Sequence, residues 1–85
     1  MNEHSKQVVD SVVRILIERT GIAAELVTLA ANLTDDLGLD SLDVMDLLVA
    51  INEEFDIHLS PEILTDVQTV GQLIDAVVGG LQKQV

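Results

Sequence analysis

Apolar residues in this chain recur at three- and four-residue steps and nowhere alternate strictly over the length of a strand, so its segments bury helical stripes rather than sheet faces. Val8, Val9, Val12, Val13, Leu16 and Ile17 predict a first helix over about 5–19, with Gly21 following where a left-handed residue is cheapest. From 22 to 38 the apolar Ile22, Leu26, Leu29, Leu33 and Leu37 are interrupted by Thr28, Asn32, Thr34, Asp35, Asp36 and Gly38. That pattern predicts a long ordered loop with a single helical turn, and loops of this length in small domains usually have a function. The strongest helical segment runs from Asp40 to about Asp56. Ser60-Pro61-Glu62 then puts a capping hydroxyl ahead of a proline at the first helical position, opening a short helix to about Leu64. Thr69 and Gln72 fit a capping box before a last helix, whose apolar face is Val70, Leu73, Ile74, Val77, Val78 and Leu81 and whose end Gly79-Gly80 is expected to fray. The expected fold class is all-α: a small four-helix bundle of three long helices and one short, with a long first loop. Leu16, Val44, Leu48, Ile51, Phe55, Leu59, Leu73, Ile74 and Val77 form its expected core.

Eighty-five residues suffice for one domain, 1–85, with an ordered core over about 5–81. Cysteine is absent, which removes disulfides, thiolate nucleophiles and cysteine metal sites together, while 48% hydrophobic content argues against disorder. Apolar stretches such as 47–51 fall far short of the roughly 20 residues of a membrane span. The start, Met1-Asn2-Glu3-His4-Ser5, lacks a basic region followed by an apolar one, so a cytoplasmic monomer is expected. Four basic residues face fifteen acidic ones, for a net charge of -11. Lys6, Arg14, Arg19 and Lys83 lie near the ends, and between Thr20 and Gln82 there are twelve carboxylates and no Lys or Arg. That field repels nucleic acid and anionic membranes and draws in proteins with basic patches.

The most informative run is Asp36-Leu37-Gly38-Leu39-Asp40-Ser41-Leu42-Asp43. Asp40 can cap the following helix, with Asp43 three residues on supplying a second carboxylate where the helix dipole favours negative charge. Ser41 is then left at the first helical position with its hydroxyl free, beside amides that welcome a phosphate. Local chemistry leaves a second arrangement open, in which Ser41 is itself the cap, as serines before helices usually are.

The segment from Leu33 to Asp43, followed by Glu53-Glu54-Phe55-Asp56-Ile57 and Leu59-Ser60-Pro61-Glu62, resembles the discrete, type II acyl carrier proteins over almost the whole chain. The resemblance implies a four-helix carrier whose Ser41, flanked by Asp40 and Leu42, bears 4'-phosphopantetheine. A phosphopantetheinyl transferase would place the group there from coenzyme A, and acyl intermediates would ride on it as thioesters. An arm that brings its own thiol explains a chain that encodes none. The carrier would have no catalytic machinery, and the chain indeed shows no nucleophile-elbow glycines, phosphate-binding glycine loop or metal-spaced histidines; His4 and His58 are expected at the surface. The implied partners are the transferase, ketosynthases, acyltransferases, reductases and dehydratases of fatty acid or polyketide biosynthesis, together with acyl chains. Two residues depart from the family pattern: Asn52 stands where an acid is common, and Leu39 where a smaller residue is frequent. A peptidyl carrier would show Gly-Gly and then His or Asp before the serine, whereas Gly38-Leu39-Asp40 stands here.

At about 100° per residue, Val44, Leu47, Leu48, Ile51 and Phe55 share one side of the second long helix. Asp43, Asp46, Glu53 and Glu54 share another, and Leu42, Met45 and Val49 fall beside the acidic edge as a small exposed apolar patch. The resemblance carries partner contacts to Asp40, Leu42, Asp43, Met45, Asp46, Val49, Glu53 and Asp56. An aliphatic core is expected to part between the second and last helices to admit an acyl chain. The alternative from another class is an acidic non-enzymatic helical adaptor or calcium-binding protein, although Asp35-Asp36-Leu37-Gly38-Leu39-Asp40 lacks the alternating ligand spacing of a calcium loop.

Overall fold

A computed structural model describes residues 3–82, with side chains from residue 6 onward. The expected surface position of His4 and the placement of Lys83 lie outside the described side chains. Three α-helices carry the fold: α1 (Glu3–Thr20), α2 (Ser41–Phe55) and α3 (Val70–Gln82). Each ends or begins on the chemistry its sequence offers. Gly21 closes α1 with φ 74° and donates to the Ile17 carbonyl at 2.9 Å. Asp56 closes α2 in the same left-handed region, at φ 53°. Thr69 and Gln72 open α3 reciprocally, the Gln72 amide donating to Thr69 Oγ1 at 3.2 Å and the Thr69 amide to Gln72 Oε1 at 3.1 Å.

The fold is all-α as expected, but the count of four helices needs correction. The short fourth element, Pro61–Thr65, is a single 3-10 segment of five residues, capped by Ser60 Oγ, which accepts from the Glu62 amide at 3.3 Å. A second 3-10 turn, Ala24–Leu26, is the one helical turn of the long loop. α1 packs on both α2 and α3, and the 3-10 segment packs on α2.

Side-chain to backbone bonds tie the long loop to itself. Asn32 Oδ1 accepts from the amides of Thr34 and Asp35 at 2.9 and 2.8 Å, and Asp36 Oδ2 accepts from the Asn32 amide at 2.7 Å. The same loop is joined to the start of α3 by an isolated bridge between Asn32 and Thr69. Around that bridge the Leu33 amide donates to Gln68 O at 2.8 Å and the Gly71 amide to Leu29 O at 2.9 Å. A Cβ at 71 would lie 3.0 Å from that Leu29 oxygen, so a larger residue there would push the two segments apart by a few tenths of an ångström.

Of the expected core, Leu16, Leu48, Ile51, Leu73, Ile74 and Val77 are buried, and Val44, Phe55 and Leu59 are half-buried. The helices add Val8, Val12, Ile15, Leu47, Ala50 and Val70, and the loops supply Ala31, Leu33, Leu39, Ile57 and Val67, all of them buried. Leu39 therefore fills core volume beneath the start of α2, which accounts for its size. The expected fraying at Gly79-Gly80 does not occur. α3 continues through both to Gln82, and the chain after α2 closes on it at Gly80, where a Cβ would meet Leu59 Cδ2 at 3.1 Å and Ile57 Cδ1 at 3.2 Å.

Candidate functional site

The two ways of capping α2 are resolved by geometry. Asp40 is the cap, its Oδ1 accepting from the Asp43 amide at 2.9 Å, and Asp43 Oδ2 accepts from the Asp40 amide at 3.2 Å. This reciprocal carboxylate box occupies the role a serine would otherwise take. Ser41 becomes the first residue of the helix, exposed, and its hydroxyl makes no hydrogen bond to any described residue. Ser60 is the useful contrast: it also precedes a helical segment, but its hydroxyl is spent on the Glu62 amide.

Ser41 stands at the rim of a cleft of about 300 Å³ whose walls are Leu33, Leu39, Val44, Met45, Leu64 and Val67. The cleft opens between α2, the end of the long loop and the 3-10 segment with the loop that follows it. The 3-10 segment packs on α2 and so forms the opposite wall itself. A larger groove of about 770 Å³ lies between that segment and the end of α3, and Ser41 does not border it.

All eight residues expected to meet partners, Asp40, Leu42, Asp43, Met45, Asp46, Val49, Glu53 and Asp56, are exposed. Leu42 is 78%, Val49 50% and Met45 37% exposed, so the apolar patch beside the acidic edge exists as the helical angles require. Three participants were not foreseen. Arg19 approaches Asp46 at 3.7 Å, and Arg14 approaches Glu54 at 3.1 Å and Glu18 at 3.7 Å. Both arginines are remote from α2 in sequence and reach it only because α1 packs alongside. Asn52 bonds both sides of one residue's backbone, Nδ2 donating to Leu59 O at 3.1 Å and Oδ1 accepting from Leu59 N at 3.0 Å. No local pattern announced it, although an amide at a position where an acid is common was the available signal. Asp35 and Asp36 sit in the loop that Asn32 and Asp36 knot together, and among the described residues no cluster of His, Asp and Glu is arranged to hold a metal ion.

Residues 10–77 match the family model described as the phosphopantetheine attachment site. The chain belongs to this family. It is 37% identical over 75 residues to an acyl carrier protein of Amoebophilus asiaticus, a match that covers 88% of this chain and 89% of the relative. Among solved structures it resembles the crystal structure of an acyl carrier protein from Thermotoga maritima, with a TM-score of 0.84, 28% identity, and 99% and 98% of the two chains covered. The solution structure of the apo doublet acyl carrier protein from prodigiosin biosynthesis shares the fold, with a TM-score of 0.78 at 23% identity over 93% of this chain and 38% of that one.

An acyl carrier protein takes 4'-phosphopantetheine as its prosthetic group, is a carrier rather than a catalyst, and works with biosynthetic enzymes and acyl chains. The residues of this carrier fit the group. A phosphodiester needs an accessible hydroxyl not consumed by the fold, and an aliphatic cargo needs an apolar recess within reach; Ser41 and the cleft at its side supply them. Among the described residues no helix is long and apolar enough to cross a membrane.

Proposed function

We propose that Ser41 is the attachment point, and that the chain is one carrier domain acting in the cytoplasm as a substrate of a phosphopantetheinyl transferase. The observation that carries this reading is the carboxylate box of Asp40 and Asp43, which leaves the Ser41 hydroxyl uncommitted at an exposed helix start. In loading, the Ser41 oxygen bonds to the phosphorus that bears pantetheine in coenzyme A, and the pyrophosphate bond breaks with adenosine bisphosphate leaving. The hydroxyl proton passes to a base of the transferase, because Asp40 and Asp43, the adjacent carboxylates, are both engaged with backbone amides. When bound, the arm supplies the thiol that holds the acyl group as a thioester. Incubation with coenzyme A and a broad-specificity transferase, followed by intact mass and peptide mapping, tests the reading. One phosphopantetheine on the peptide containing Ser41 supports it, and an adduct elsewhere or none refutes it.

Docking falls to Asp40, Leu42, Asp43, Met45, Asp46, Val49, Glu53 and Asp56, with fatty acid or polyketide enzymes offering basic patches as the partners. Exposed ion pairs contribute about 0 to 1 kcal/mol each and are screened over about 8 Å at physiological ionic strength, which suits a shuttle that must leave each enzyme quickly. Asp46→Lys should therefore slow loading roughly three- to tenfold while the far-ultraviolet spectrum stays helical. Unchanged kinetics in a folded variant would remove Asp46 from the docking surface.

The cleft beside Ser41 is the natural recess for the cargo. Each methylene moved into it gains about 0.8 kcal/mol, so a short chain offsets the cost of widening an opening that already exists. Amide exchange around Leu33, Val44, Leu64 and Val67 should slow on loading with an acyl chain of several carbons. Identical protection in the loaded and unloaded carrier would mean that the chain stays in solvent.

A further inference from the structure

The exposed face of α2 is less uniformly acidic than its sequence. Leu42, Asp46, Val49 and Glu53 follow one another at three- and four-residue steps and form a single outward stripe. Asp46 occupies its middle, and the Arg19 guanidinium of α1 lies against it, Nη1 to Oδ1 at 3.7 Å, with both side chains about half exposed. Arg14 is held differently, paired with Glu54 and Glu18, although it lines one small recess with Arg19 and Glu53. Arg19 has no other carboxylate partner among the described residues, so a single exposed ion pair holds this countercharge on the docking surface. Glu53, in contrast, makes no hydrogen bond or ion pair with any described residue.

We infer that Arg19 is a specificity-setting residue that competes, within the molecule, with a partner's basic side chain for Asp46. A partner's lysine or arginine reaches Glu53 without breaking an ion pair but gains Asp46 only by displacing Arg19. The surface thus fits a protein whose patch places an apolar contact over Leu42 and Val49 and whose base opposite Asp46 is strong enough to win that exchange. Partners lacking such a base are not penalised, because for them Asp46 stays neutralised and adds no unpaired buried charge at the interface. The pair is exposed and screened, so its removal alters recognition without unfolding the bundle.

This inference rests on the loading reaction at Ser41, and the same assay separates the two. Initial rates of loading by a broad-specificity phosphopantetheinyl transferase with coenzyme A are measured for the wild-type chain, Arg19→Gln, Asp46→Asn and the double variant. Lys6→Gln, exposed and at the far end of α1, is the control for net charge alone. At low ionic strength Arg19→Gln should raise kcat/KM about two- to fivefold over the Lys6→Gln control, through a lower KM for the carrier with kcat unchanged. The gain should vanish in the Asp46→Asn background and fade at high salt. No gain over Lys6→Gln, a gain that persists in the Asp46→Asn background, or a loss of helicity in Arg19→Gln would each overturn it. Failure of the wild-type chain to load at all would sink the Ser41 reading first and this one with it, whereas loading at rates insensitive to Arg19 would sink this one alone.

Discussion

Ser41→Ala should leave a folded carrier that never loads. Treated with excess coenzyme A and a transferase, it gains no mass, while the wild-type chain gains one phosphopantetheine. The expected loss is complete because the oxygen that bonds to phosphorus is gone, and Thr34, the other exposed hydroxyl residue of the cleft, lies in the long loop rather than at the helix start that presents Ser41. Ser60, the other serine at a helical start, accepts from the Glu62 amide, and Thr69 accepts from the Gln72 amide. Thr20 donates its hydroxyl to the Leu16 carbonyl at 2.6 Å. Folding should be untouched, since the cap belongs to Asp40 and Asp43 and an exposed substitution at the first helical position costs at most about 0.5 kcal/mol. Thermal unfolding and the far-ultraviolet spectrum check that half of the expectation. An adduct on the Ser41→Ala chain, at whatever residue, would show that the tether lies elsewhere.

What the sequence reveals about this site is whatever depends on neighbours along one helix. Leu42, Met45 and Val49 are exposed, and Leu48 and Ile51 are buried, because a 3.6-residue period decides both and nothing distant intervenes. The cap itself stood between two local solutions until the reciprocal bonds of Asp40 and Asp43 were seen, since Asp and Ser cap about equally well. Arg14 and Arg19 were illegible for another reason. Their meaning depends on which helix lies beside α1, and that is set by long-range packing of Val8, Val12, Ile15 and Leu16 rather than by anything near the arginines. At Gly79-Gly80 local propensity gave the wrong answer outright. Two glycines weaken a helix end in isolation, but here the missing side chain of Gly80 is what allows Ile57 and Leu59 to pack close to α3.

The same contact makes Asn52 the residue whose replacement should perturb the fold around the cleft most. Its amide spans the backbone of Leu59 with one donated and one accepted bond, and so fixes the chain that leads from α2 into the 3-10 segment. Leu64 and Val67, farther along that chain, form the wall of the cleft facing α2. Asn52→Asp keeps an acceptor for the Leu59 amide but loses the donor for its carbonyl, and sets a carboxylate oxygen against a carbonyl oxygen in a half-buried site. Leaving that carbonyl unsatisfied should cost about 1 to 3 kcal/mol at pH 7. For a domain of this size each kcal/mol lowers Tm by about 4 to 8 °C. The deficit should depend on pH with a definite sign. Repulsion from the carbonyl raises the introduced carboxyl's pKa in the folded state above its unfolded value of about 3.9, so the penalty is full well above that range and shrinks as pH falls through the folded pKa. A protonated carboxyl again offers one donor and one acceptor to Leu59. Asn52→Ala loses both bonds and supplies no titratable group, so its own deficit relative to wild type should stay flat across the same range. In exchange experiments the Leu59 amide should lose protection most in Asn52→Ala and less in Asn52→Asp, where its acceptor survives. An Asn52→Asp chain as stable as wild type at neutral pH, or one whose deficit ignores pH, would mean that the amide clamp does not hold the segment in place.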